Sequence, residues 1–263
     1  MGAVIPLFDF AYHGDGWLED IKKAAKEEPW GEKNKVLELY LRANYEIAKE
    51  QGKVYESEDT AYWKPGYLVS PSSDPITLKY KKNAPGRKNK WRFEGVISGR
   101  FAINDEKFQS SDDLQVKYDP PEFESKWDIF IDQKNFEHIM GQNAVRLEQV
   151  FGKEVSKNRQ LLFKAIYGEI ILEKKDSTTI IPQWYNGEYQ FLMPLYLNSP
   201  DKVDLTATLT RDTTMRRYQV NTLLLPSYAY AYARSVVKSR AGFGAWIALP
   251  PEELNVSEGD DTE

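Results

Sequence analysis

Chemistry in this 263-residue chain must come from carboxylates, amides, lysine, arginine, aromatic rings and two imidazoles, because it contains two His and no Cys. Disulfides, thiolate zinc sites, iron–sulfur clusters, cysteine nucleophiles and a histidine-rich metal site are thereby excluded. The densest chemical signal is cationic. Lys79, Lys81, Lys82, Arg87, Lys88, Lys90 and Arg92 place seven positive charges within fourteen residues without one acid, beside Tyr80, Trp91 and Phe93. Cations neutralise phosphates, and flat rings accept unstacked bases at about 1–3 kcal/mol each, so the pattern suits single-stranded RNA. The plainer reading is a solvated hairpin tip, with Trp91 and Phe93 turned into the core.

Further groups have the right types for acid–base or recognition chemistry. His138 precedes Arg146 by two turns, and an imidazole beside a guanidinium suits general acid–base work on a phosphodiester. Gln183 and Gln190 flank an Asn186-Gly187 turn, with Trp184, Tyr185 and Tyr189 between them, so that amides read base edges while rings stack. Strand alternation predicts that one member of each pair, Gln183/Trp184 and Gln190/Phe191, is buried. Arg211, Arg216 and Arg217 sit in a turn, and Arg234, Lys238 and Arg240 at or beyond a last helix; each could fork onto phosphate or close a helix end. Asp112, Asp113, Asp128, Asp132 and Glu137 are close in sequence but have no metal-ligand spacing, so neither metal nor cofactor is expected.

The elements that must position these residues follow from periodicity. A first helix is predicted over 16–28, capped by Asp15, and a second over 35–51 before Gly52. Strand-like runs follow at Val54-Tyr55, Tyr67 to Val69, Ile76 to Tyr80 and Trp91 to Ile97, the last two forming a hairpin around the 81–90 loop. Residues 104–126 read as a surface connection broken by Asp119-Pro120-Pro121. Helices are predicted over 134–141, 143–151 and 156–174. Runs at 178–184, 188–197, 203–210 and 217–225 then form a β-meander with a tight turn at Asn186-Gly187, and a helix capped by Ser227 closes the order. The fold class is α+β, a mainly antiparallel sheet packed by N-terminal, central and C-terminal helices. One domain over 1–250 is expected, with a split near Asp119-Pro120 as the alternative and 251–263 as a disordered acidic tail.

That tail holds six acids and no base; without them, 35 basic face 34 acidic side chains. No apolar run approaches the roughly 20 residues that cross a bilayer, and Met1 to Phe10 lacks a signal pattern, so a cytoplasmic protein without membrane contact is expected.

The path Ile181-Pro182-Gln183-Trp184-Tyr185, Tyr189 to Leu197, Asp204-Leu205, Ala229-Tyr230 and Ala233-Arg234 resembles the mainly bacterial family called domain of unknown function 3825. Asp9-Phe10-Ala11, Tyr67-Leu68, and His138-Ile139 with Asn143 and Arg146 extend the resemblance over most of residues 8–247. The resemblance implies an RNA association, since members are joined to RNA-binding and nuclease-like domains. It singles out Gln183, Gln190, Asp204, His138, Arg146 and Arg234 as site residues. The chain departs from the family at Ser227 and at Ala231-Tyr232, where an Asp and an Asn pair are usual. Three readings follow. The first is a domain binding single-stranded RNA or a nucleotide in an RNA-processing or defence-type system, through Lys81, Lys82, Arg87, Lys88, Trp91, Gln183, Tyr185, Gln190 and Arg234. The second is an enzyme acting on RNA or nucleotides with His138, Arg146 and Asp204. The third is a scaffold whose partner is another protein, anchored by aromatic residues.

Overall fold

A computed structural model describes residues 6–237 and 245–247. The chain divides into two compact units, Met1–Asp119 and Pro120–Glu263. Each holds one five-stranded sheet, antiparallel except for a short parallel strand at one edge, so the fold is α+β. Lys238, Arg240 and the acidic segment 251–263 lie outside the described residues.

The first unit opens with α1 (Leu7–Phe10), β1 (Ala11–Tyr12), α2 (Trp17–Ala24) and α3 (Lys35–Glu50). Its other strands are β2 (Tyr55–Glu56), β3 (Thr60–Trp63), β4 (Ile76–Lys82) and β5 (Trp91–Ser98), arranged β1-β5-β4-β3-β2. Alternation puts Ala61, Trp63, Leu78, Tyr80 and Trp91 on one fully buried face. Tyr45 of α3 packs against Trp63 and Phe10 at ring distances of 5.4 and 5.0 Å. Each such buried ring contributes about 1.5–3 kcal/mol of hydrophobic stabilisation.

In the second unit, β6 (Asp128–Phe130) precedes α4 (Gln133–Glu137), a π-helical turn at His138–Gln142, α5 (Ala144–Phe151), α6 (Lys153–Ser156) and α7 (Arg159–Glu173). The meander is β7 (Ile181–Tyr185), β8 (Glu188–Leu195), β9 (Leu205–Asp212) and β10 (Arg217–Leu224), closed by α8 (Pro226–Val236). Phe191, Met193, Leu195, Leu205, Ala207, Leu209 and Val220 meet Leu162, Ile166 and Ile170 of α7 in one core. Asn186 and Gly187 both take positive φ, as the two-residue turn requires.

Several expectations change. The cap of α2 is Gly16, in the left-handed region, and not Asp15. Ser227 lies inside α8 behind Pro226, whose missing N–H costs nothing at a first turn. Gly66 and Tyr67 form a turn, Leu68 N–H donating to Pro65 O, and of the strand predicted over 67–69 there is only an isolated bridge between Val69 and Pro75. The 156–174 helix is interrupted, with Asn158 capping α7. The 104–126 connection is anchored, since Phe108, Leu114 and Val116 are buried. The N-terminal helices serve the first sheet, whereas the meander belongs to the second unit.

Candidate nucleic-acid interface

The cationic hairpin is present and open. Lys81, Lys82, Arg87 and Lys88 are exposed, and Lys88 pairs with Asp9 at 3.5 Å while its side chain stays 84% exposed. The tip is tied to the chain's start, because Asn89 Nδ2 donates to the carbonyls of Phe8 and Asp9 at 2.7 and 3.1 Å. Trp91 contradicts its expected stacking role. It is 0% exposed, its indole N–H donates to Glu56 Oε2 at 3.0 Å, and Lys90 Nζ lies 4.6 Å from its ring centre, so no face remains for a base. Burial pushes the Glu56 carboxyl up, but hydrogen bonds from Lys90, Lys49 and Trp91 outweigh it and hold the carboxyl at about 2.

On the opposite face of the same sheet, register aligns Tyr12 with Arg92, Arg92 with Lys81, and Lys81 with Thr60. Tyr12 is 58% exposed, and Arg92 and Lys81 are exposed beside it. A bulge between Lys79 and Tyr80 leaves Glu94 as the extra residue of β5, with Gly95 at φ +155 accommodating the turn of the backbone. Glu94 pairs with Lys79 at 2.8 Å. That hydrogen bond, with Lys81 and Arg92 nearby, keeps the Glu94 carboxyl below the usual carboxylate range against a smaller effect of burial.

His13 lies among Phe8, Trp17, Tyr80 and Phe93, with ring centres 4.3–6.3 Å away. Burial lowers its imidazole to about 4, opposed by a hydrogen bond with the Ala11 backbone, so it is neutral at physiological pH.

In the second unit, Asn143 and Arg146 bond consecutive residues of β10, and His138 is joined to this pair through Asn143. Asn143 Nδ2 donates to Thr222 Oγ1 at 2.7 Å and contacts His138 Nε2 at 3.0 Å, which makes Nε2 the acceptor. The Thr222 N–H donates in turn to Thr208 Oγ1 at 3.2 Å. Arg146 is buried, donates to Leu223 O at 2.7 Å and lies over the Tyr228 ring. Asp204 does other work: its carboxylate accepts the N–H groups of Leu197 and Asn198 at 2.8 and 2.7 Å, closing the β8–β9 connection. It stands four residues from Thr208 along β9, about 13 Å at a strand's rise.

Gln183 and Gln190 are cross-strand partners, Gln183 Nε2 donating to Gln190 Oε1 at 3.2 Å and Gln190 Nε2 to Glu188 Oε1 at 3.0 Å. Both members of each expected buried/exposed pair are buried, because the core covers one face of β7–β8 and α8 packs on β7. Gln183 Oε1 is left without a hydrogen-bond partner. Tyr185 is half-exposed, edge-on to Tyr232 at 5.6 Å. Arg234 is buried in the last turn of α8, its Nη1 3.5 Å from Val237 O.

The carboxylates have structural partners. Asp112 pairs with Lys64 and Arg100, Asp113 completes a capping box with Ser110, and Asp132 caps α4 and accepts from Gln219. No group of three or more His or acidic residues that could hold a metal occurs among the described residues. No described helix is long and apolar enough to cross a membrane.

Residues 21–241 match the family model described as Domain of unknown function (DUF3825). The chain belongs to that family. No curated protein and no solved structure matches it.

Within this DUF3825 chain the hairpin cations lie in the first unit, while Gln183, Tyr185, Gln190, Arg234, His138, Arg146 and Asp204 lie in the second. Sequence reasoning missed Tyr12 and Phe8 as exposed rings. The available signal was the apolar Ala11 before Tyr12, since successive strand positions face opposite ways and burial of one exposes the other. The sequence shows Arg92 as one charge in a run; its register with Lys81 follows from strands that continue to Lys82 and begin at Trp91, with the loop closed by Asn83 and Lys90.

Proposed function

We propose that this protein is an RNA-associated domain that binds single-stranded RNA through the cationic β4–β5 region of its first unit, within an RNA-processing or defence-type system. The observation that carries this reading is the register pair Lys81–Arg92, two exposed cations directly opposite on neighbouring strands, continuing into the exposed Lys82, Arg87 and Lys88. Like charges placed opposite destabilise a sheet, and a phosphate chain removes that cost while releasing counterions. Replacing Trp91 as the stacking ring, Tyr12 supplies the flat surface beside these cations. Titrating a labelled oligouridylate at 50 and 200 mM salt tests the reading. Affinity falls with salt and is lost in Lys81→Glu/Lys82→Glu/Lys88→Glu; a protein that ignores RNA in all conditions refutes it.

The enzymatic reading has one specific support: Asn143, which contacts His138, bonds Thr222, while Arg146 bonds the adjacent Leu223. Asp204 has no part in that version, because its oxygens are engaged at a turn. The pair would move a proton through His138 and hold developing negative charge through Arg146. A labelled-RNA and nucleotide panel, with and without Mg²⁺, decides it: turnover that persists in His138→Ala removes the imidazole from the chemistry.

A further inference from the structure

We infer that the outer face of the first sheet is a track running across the strands, on which single-stranded RNA lays one base on Tyr12 and its phosphates on Arg92 and Lys81; this rests on the RNA-binding reading above. The cationic signal in the sequence points along the hairpin, toward its tip. The geometry points across it. Tyr12, Arg92, Lys81 and Thr60 occupy one row through β1, β5, β4 and β3. Three strand spacings make that row about 14 Å long, comparable with the breadth of sheet on which other RNA-binding folds stack two or three bases.

A ring with more than half its surface free stands at one end, two cations follow on adjacent strands, and a hydroxyl ends the row. Tyr62, the next ring on this face, is unsuited to stacking because Tyr55 lies parallel to it at 5.9 Å and Phe101 abuts it edge-on at 5.2 Å. Tyr12 has no such neighbour among the ring contacts of the described residues. The only carboxylate in the adjoining row of β5, Glu94, is drawn to Lys79 at 2.8 Å, so Lys81 and Arg92 keep their charge for a ligand. Glu94 also lowers the local positive potential, and this gives a test with a gain of function.

The experiment measures binding of a fluorescein-labelled twelve-residue oligouridylate to the full chain over a salt series, with melting temperatures recorded for every variant. Tyr12→Ala weakens binding roughly 5- to 100-fold, the range of one lost base stack. Lys81→Ser/Arg92→Ser lowers the log–log salt slope by about 1.4, two contacts at about 0.7 each for single strands. Glu94→Gln tightens binding, an outcome that a purely structural role for Glu94 does not produce. Lys81→Glu loses affinity while its melting temperature holds or rises, because it puts a carboxylate opposite Arg92; unfolding therefore cannot account for the loss. Wild-type affinity in Tyr12→Ala and in Lys81→Ser/Arg92→Ser, with binding lost in a Lys82→Ser/Arg87→Ser/Lys88→Ser tip variant, overturns the track and leaves the RNA reading standing. Duplex RNA bound as tightly as the single strand overturns it too, since paired bases offer Tyr12 no face. A wild-type chain that binds no oligouridylate removes both.

Discussion

Replacing Glu56 by Gln tests the anchor that fixes the cationic hairpin to the body of the first unit. Its carboxylate receives Lys49 from α3 at 3.0 Å, Lys90 from the hairpin at 2.9 Å and the Trp91 indole at 3.0 Å. Depression of the carboxyl from 4.5 to about 2 corresponds to about 3 kcal/mol at most. With 27% of the side chain exposed on its own measure, screening by water reduces this to about 1–2 kcal/mol. Because the folded value lies below the unfolded one, the contribution is complete above about 4.5 and is lost as pH falls toward 2. Glu56→Gln therefore costs about 1–2 kcal/mol at pH 7, measured by urea unfolding followed through tryptophan fluorescence. The gap from wild type narrows by about two-fifths at pH 3.5, since the unfolded chain's carboxyl, near 4.5, has by then taken up its proton while the folded one is still ionised. A gap of the same size at pH 7 and pH 3.5 would refute the ionic account and leave only packing.

Two further outcomes are expected. Gly66 takes φ +56, and a Cβ there would overlap Asn44 Oδ1 and the Tyr118 hydroxyl, so Gly66→Ala lowers stability by about 2–4 kcal/mol in a thermal or urea melt; a change below about 0.5 kcal/mol contradicts the crowding. The His13 ring titrates near 4 by NMR, and because burial favours its neutral form, wild-type stability declines as pH drops from about 6.5 to 4. His13→Phe flattens that slope, whereas an unaltered slope assigns it to other groups.

The parts of the fold legible in the sequence are those written locally. Asn186-Gly187 marks a turn whose two strands pair from Ile181–Leu192 to Tyr185–Glu188, and the α3 stripe from Val36 to Ile47 is spaced as a helix must be. What escaped depends on partners distant in the chain. The parallel strands β1 and β6 are two and three residues long and exist through β5 and β10, some 80 to 90 residues away. The same limit governs the site. A run of lysines and arginines can be counted, but the point at which the loop closes, between Asn83 and Lys90, decides which of them stand opposite one another. The Trp91 error arose because an aromatic residue among lysines looks solvent-facing, although its neighbours Tyr80 and Ala11 share its buried face. Asp204 drew attention as an acid, and only its hydrogen bonds reveal a turn.

The brevity of β1 has a consequence for handling the molecule. Its two residues are what cap the ladder of β5 at Trp91 and Arg92. Trimming the polypeptide past Tyr12 would uncover those backbone groups and create an adhesive border where another molecule's strand could add. Such a shortened form would self-associate, so its oligomeric state has to be measured before any change in its behaviour is assigned to the residues removed.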